Sequence, residues 1–135
     1  VTPHEAAVWV LRCHERRGTL FLAGCGGFHA HACHIAAELV VRFKANRAPI
    51  AAVALGCNPA IVSAAVNDLG PESMFQREFL ALVRPGDALM TYSTSGQSRP
   101  LLVLRMLDHQ WHRVESQEDA LRFDHQMCEA LEAML

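Results

Sequence analysis

The apolar residues of this chain fall into two kinds of pattern. Three short runs are almost continuously apolar: Thr19–Ala23 (TLFLA), Ile50–Leu55 (IAAVAL) and Ala88–Tyr92 (ALMTY). Runs of this length read as strands buried on both faces of a parallel sheet. The stretches between them repeat their apolar residues at helical spacing. A first helix opens at Thr2-Pro3-His4-Glu5, where Thr2 can cap, Pro3 suits the first turn and Glu5 can close a capping box. Its face is Ala7, Val10, Leu11 and His14, and Gly18 stops it near Arg17. A second helix runs over Gly27–Lys44, broken by Asn46-Arg47-Ala48-Pro49. A third starts at Asn58-Pro59 and reaches about Asn67. Beyond Gly70-Pro71-Glu72, a fourth covers Ser73–Val83 with Phe75, Phe79 and Leu82 on one side. Arg84-Pro85-Gly86-Asp87 is a turn. Pro100 opens a fifth helix through about His109, and Ser116 caps a last one whose face is Leu121, His125, Cys128, Leu131 and Leu135. Strands alternating with helices predict an α/β domain around a parallel sheet.

Composition narrows the class. At 135 residues, 51% hydrophobic, the chain is one domain with a sizeable core. A net charge of −2 without any basic run argues against nucleic acid as a partner. No apolar stretch reaches the ~18 residues a membrane helix needs, so no membrane partner is expected. The opening VTPHEAAVW lacks the basic and apolar regions of a signal peptide. Five scattered cysteines, with no CxxC, read as reduced thiols and point to a cytoplasmic protein.

Candidate chemistry gathers at two strand ends. GCGG follows the first strand and STSGQS the third. In open α/β sheets ligands bind beyond the carboxyl ends of strands. Glycines let backbone approach an anion, and helix N-termini point N–H groups at it. The hydroxyls of Ser93, Thr94, Ser95 and Ser98 suit a phosphate. Neither loop is a nucleotide motif, because GxxxxGK[ST] and GxGxxG are both absent. Within Gly24–Glu38, His34 and Glu38 stand four apart and share a helix face, which sets a possible metal ligand beside a carboxylate.

The runs GCGGFHAHACHIAAELVVRF, AVNDLGPESMF, RPGDALMTYSTSGQS and QEDALRFDHQMCEALE cover most of the chain from Thr19 onward. Through them the sequence resembles sugar isomerase (SIS) domains, and specifically the phosphoheptose isomerase family. The STSG-type loop is common to SIS domains; the HIAAEL run, the Asn67-Asp68 pair and the Gln-x7-His spacing are more specific. The resemblance implies a three-layer α/β/α, flavodoxin-like parallel sheet with flanking N- and C-terminal helices. It implies conversion of sedoheptulose 7-phosphate to D-glycero-D-manno-heptose 7-phosphate, towards the heptose of lipopolysaccharide. It further implies a homotetramer with active sites between subunits, and zinc. Carried over by position, His34, Glu38, Gln117 and His125 form the metal and catalytic set, with Glu38 as base and His125 as its acid/base partner. Gly26, Gly27, Asn67, Asp68, Ser93, Thr94, Ser95, Ser98 and Gln117 contact the sugar phosphate.

The sequence departs from that family in three places. Cys25 stands where the family has Asn, and Phe28 where it has Ser. Only eighteen residues separate Ser98 from Gln117. They leave room for one helix and a connector around Trp111–Val114, which predicts a shortened sheet of three strands. Two other readings follow. One is a non-catalytic SIS module binding a phosphosugar or a protein, as in replication-initiator-associating relatives, although those lack the helix glutamate kept here as Glu38. The other is a metal-binding protein built on His29, His31, Cys33, His34 and Glu38.

Overall fold

The computed structural model describes residues 1–104, 110–113 and 115–135. The elements run α1 (Pro3–Glu15), β1 (Leu20–Gly24), α2 (Gly27–Val40), β2 (Ala52–Ala54), α3 (Pro59–Leu69), a 3-10 turn (Pro71–Ser73), α4 (Gln76–Leu82), β3 (Ala88–Ser93), α5 (Arg99–Leu104), β4 (Gln110–Arg113) and α6 (Gln117–Met134). The sheet is parallel throughout, in the order β2-β1-β3-β4. Side chains of β1 alternate between two cores, as a strand period of two requires. Leu20 and Leu22 join α1, α2 and α6 on one face, against Val10, Ile35, Leu39, Met127 and Leu131. Phe21 and Ala23 meet Phe75, Phe79, Leu101 and Leu104 on the other. This is the expected three-layer α/β/α arrangement.

The sheet has four strands rather than three. Residues 94–109 separate β3 from β4, enough for a parallel crossover of a dozen residues or more. The stretch expected to be a connector therefore adds to the sheet edge, with Met90 in register with Gln110 and Ser93 with Arg113. The fifth helix is described over Arg99–Leu104; its expected continuation, 105–109, and Val114 of the connector lie outside the described residues.

Local chemistry sets the other differences. Thr2 and Glu5 form the expected capping box, and Arg17, at φ 60°, ends α1 before Gly18. The second helix stops at Val40, not Lys44. The Arg47 guanidinium takes the carbonyls of Glu38 (2.7 Å) and Leu39 (2.6 Å), while the Glu132 carboxylate takes the backbone N–H groups of Phe43, Lys44 and Ala45 at 2.7–3.0 Å. With both sets of backbone groups satisfied elsewhere, further helix gains nothing. The second strand shrinks to Ala52–Ala54, and the fourth helix starts only at Gln76, after the 3-10 turn, leaving Leu82 exposed. The buried face of α6 is Ala120, Asp124, Met127, Cys128 and Leu131, so Leu121 and His125 stand partly out of the core.

Candidate active site

The site grows from the β1–α2 turn. A Cβ on Gly24 would lie 2.6 Å from both Phe28 Cβ and the Phe28 carbonyl oxygen, so only glycine lets α2 fold back this closely. Gly26, at φ 59°, holds the cap position in a conformation that L side chains avoid. Two turns into α2, His34 Nε2 meets Glu38 Oε1 at 2.8 Å. His125 arrives from α6, its ring centroid 5.6 Å from that of His34 and 4.9 Å from that of Phe43. One ligand atom from each of His34, Glu38 and His125 falls within 4.8 Å of the other two. The Glu38 side chain is 20% exposed and that of His34 46%, so the group opens to solvent. Among the described residues, His125 Nε2 is buried without a hydrogen-bond partner. An orphaned ring nitrogen facing an imidazole and a carboxylate is a ready acceptor for a ligand proton or a cation. Two imidazoles and one carboxylate, gathered this closely, are also a donor set that fits a divalent metal with a position left for substrate.

A buried polar pair beneath this group aligns the two helices. His31 Nε2 and Asp124 Oδ2 lie 2.7 Å apart, with almost no solvent access. The Tyr92 ring stands edge-on to His31 at 4.8 Å, and burial, followed by the Asp124 charge, pushes its phenol well above the ordinary value. Farther along, Arg47 faces Glu132 at 3.3 Å. Burial alone would raise the Glu132 carboxyl, but the three backbone N–H donors and Arg47 outweigh it and hold it below the ordinary glutamate range. Neither the His31–Asp124 pair nor the Arg47–Glu132 pair is visible in one sequence, because each joins residues more than eighty positions apart. The one local hint is that Asp124 falls on the apolar face of α6.

The hydroxyl loop turns inward on itself. Ser93 Oγ accepts from the backbone N–H of Gly96 (3.0 Å) and Ser95 Oγ from that of Gln97 (3.1 Å); Thr94 and Ser95 are exposed. Cys25 Sγ lies 3.4 Å from Ser98 Oγ, so this thiol links the glycine loop to the hydroxyl loop. Phe28 packs partly against the main core. Gln117 covers Gly27: a Cβ there would fall 1.4 Å from Gln117 Nε2. That places Gln117 at the start of α6, eight residues and roughly 12 Å of helix from His125. Within one chain it therefore joins the glycine loop rather than the His34–Glu38–His125 group. Asn67 and Asp68 are exposed at the end of α3, where the Asn67 amide donates to Asp68 at 2.8 Å. The five-residue metal set suggested by sequence is divided three ways. His31 is buried with Asp124, His34 and Glu38 join His125, and His29 and Cys33 join Cys57.

A family model described as "SIS domain" matches residues 4–108. The chain belongs to the SIS domain family. Among curated SIS-type relatives, the phosphoheptose isomerase of Roseiflexus sp. is 44% identical over 93 residues, 69% of this chain and 47% of the relative. That of Aquifex aeolicus is 46% identical over 83 residues, 62% of this chain and 44% of its own length. The chain thus spans about half the length of the curated relatives it matches. The solved phosphoheptose isomerase of Neisseria gonorrhoeae superposes with a TM-score of 0.81 at 25% identity, covering 97% of this chain and 85% of that one. The solved structure from Francisella tularensis, at 23% identity and a TM-score of 0.85, shares the same fold.

Proposed function

We propose that this SIS domain is an aldose–ketose isomerase acting on a phosphorylated heptose, converting sedoheptulose 7-phosphate to D-glycero-D-manno-heptose 7-phosphate through an enediol. The observation that carries the reading is the meeting of His34, Glu38 and His125, drawn from two helices at opposite ends of the chain. The names of the curated relatives support the choice of substrate.

The isomerisation moves a proton between adjacent carbons and needs a base, an acid for the oxygens and a hold on the anion. Glu38 takes the carbon-bound proton. Among the described residues only its Oε1 is hydrogen-bonded, which leaves the second oxygen for this work. His125, with its unpartnered Nε2, exchanges a proton with the substrate oxygens. The glycine loop at Gly26 and Gly27 and the hydroxyls of Ser93, Thr94, Ser95 and Ser98 hold the phosphate. Binding there, away from the reacting carbons, positions them against Glu38. Gln117, above Gly27, orients the sugar chain. Zinc is the metal that best fits His34, Glu38 and His125, and when bound it supplies Lewis acidity to the carbonyl oxygen. Gln117 joins that set only if it swings from Gly27 or acts from another subunit.

Self-association, to a homotetramer, accompanies this reading. Val41, Leu69, Leu80 and Leu82 are each about half exposed or more, and Asn67 and Asp68, next to Leu69 at the end of α3, are exposed as well. A site completed between subunits gives that pair a route to the substrate. A cytoplasmic location fits the thiols; no helix among the described residues is long and apolar enough to cross a membrane.

The test is isomerisation of sedoheptulose 7-phosphate by zinc-supplied wild type and by Glu38→Gln. Turnover by the wild type and its loss in the variant are expected. A folded wild type that binds the sugar phosphate without turning it over would replace this reading with a non-catalytic SIS module.

A further inference from the structure

Helix α2 carries a second pair of ligating side chains that the isomerase reading does not use. His29 and Cys33 are four residues apart, as are His34 and Glu38, but the two pairs are offset by five positions. At 3.6 residues per turn that rotates one pair roughly 140° from the other, so they face different neighbours. The first pair faces the loop between β2 and α3, which brings Cys57 to it. Cys33 Sγ lies 3.7 Å from His29 Nε2 and 3.5 Å from Cys57 Sγ, and all three ligand atoms fall within 4.8 Å of one another.

We propose that His29, Cys33 and Cys57 form a separate site for a soft divalent cation of the zinc class. The spacing fits the chemistry. Tetrahedral zinc holds sulfur at about 2.3 Å and nitrogen at about 2.0–2.1 Å, which sets ligand edges of about 3.8 Å between sulfurs and about 3.6 Å from sulfur to nitrogen. Those edges are nearly formed. Two thiolates with an imidazole favour zinc-like ions over magnesium or calcium. Cys57 is exposed and His29 and Cys33 are half-buried, so an ion can enter from solvent. Gly56 lets this loop run close over the core: a Cβ there would stand 2.7 Å from the Phe75 ring. Binding replaces two S–H bonds with two S–metal bonds, releases both protons to solvent and leaves the fourth position to water. The ion would pin the β2–α3 loop to α2, beside the glycine loop.

The test uses reduced, metal-free protein titrated with cadmium. Wild type should bind it with a thiolate-to-cadmium charge-transfer band in the near ultraviolet, bleached when excess EDTA removes the ion. Cys57→Ser should lose the band; because this residue is exposed, the variant should keep its fold, checked by circular dichroism. His29→Ala should weaken uptake by at least about tenfold. His34→Ala with Glu38→Gln should keep the band, separating this site from the isomerase group. Absence of a band in reduced wild type, or its persistence in Cys57→Ser, overturns the proposal.

Discussion

His31 and Asp124 face each other at 2.7 Å inside the core, 93 positions apart in the chain, one residue before His125 and three before His34. The buried pair sets the rotation and height of α6 against α2, and through them the position of His125. Removing one partner of a buried, charge-assisted contact costs about 2–4 kcal/mol. Asp124→Ala should lower the free energy of urea unfolding by that amount. A loss below about 1 kcal/mol would show that the pair does not hold the helices.

His125→Gln keeps a hydrogen-bonding side chain but removes the titratable ring. If His125 exchanges the proton with substrate oxygens, kcat should fall by about 10²–10⁴ with little change in KM. Steady-state kinetics on a variant with wild-type Tm decides this. A rise in KM at constant kcat would make His125 a binding group.

Two neighbouring glycines should answer differently to alanine. In Gly24→Ala the new methyl meets the backbone and Cβ of Phe28. Overpacking against groups that cannot move should cost about 1–3 kcal/mol. In Gly27→Ala the nearest atoms it meets are the amide end of Gln117, which can swing away. The Tm should therefore drop clearly for the first and little for the second, while sugar-phosphate affinity suffers in the second.

Acid should loosen the outer end of the α2–α6 contact. The Glu132 carboxyl is depressed in the folded protein, so its stabilising effect is complete above the ordinary glutamate range. It is lost as pH falls through the lower, folded-state value. Glu132→Gln should be less stable than wild type at pH 7, with the gap narrowing below about pH 4, the ordinary glutamate range. Urea titrations across that range measure it; a constant gap would contradict the assignment.

The cysteines should sort by reactivity. Burial, followed by the Asp124 and Glu38 charges, pushes the Cys128 thiol up to about 12. Cys128 should resist iodoacetamide in native protein at neutral pH and react only on unfolding. Peptide mapping reads this directly, and early labelling of Cys128 would show that the core there opens.

Much of this fold is legible in sequence because it rests on local rules. The Thr2–Glu5 box, the Asn58 cap and the apolar run of β1 declare themselves within a few residues. So do His34 and Glu38, four apart on one helix. What escapes is set at long range. The end of α2 is decided by Arg47 and Glu132, eighty-five positions apart, rather than by the propensities of residues 41–44. The fourth strand exists because β3 offers an unpaired edge, which no local pattern in 110–113 records. Gln117, which the family resemblance sets with His125, stands two turns from it within one chain, over a different part of α2. The role of Cys57 depended on a loop whose path the sequence does not state.

The two helices that carry the site run side by side in the same direction, matched from Gly27 with Gln117 to Lys44 with Glu129. Between them in sequence, the described residues hold β2, β3 and β4 with α3, α4 and α5. Helix α6 also carries Met127, Cys128 and Leu131 of the core, so its docking both covers that face of the sheet and brings His125 to His34 and Glu38. Completing the core and completing the site are therefore one and the same event. A molecule whose α6 has come away has lost its acid/base imidazole along with its core, so no loosened form of the domain should keep activity.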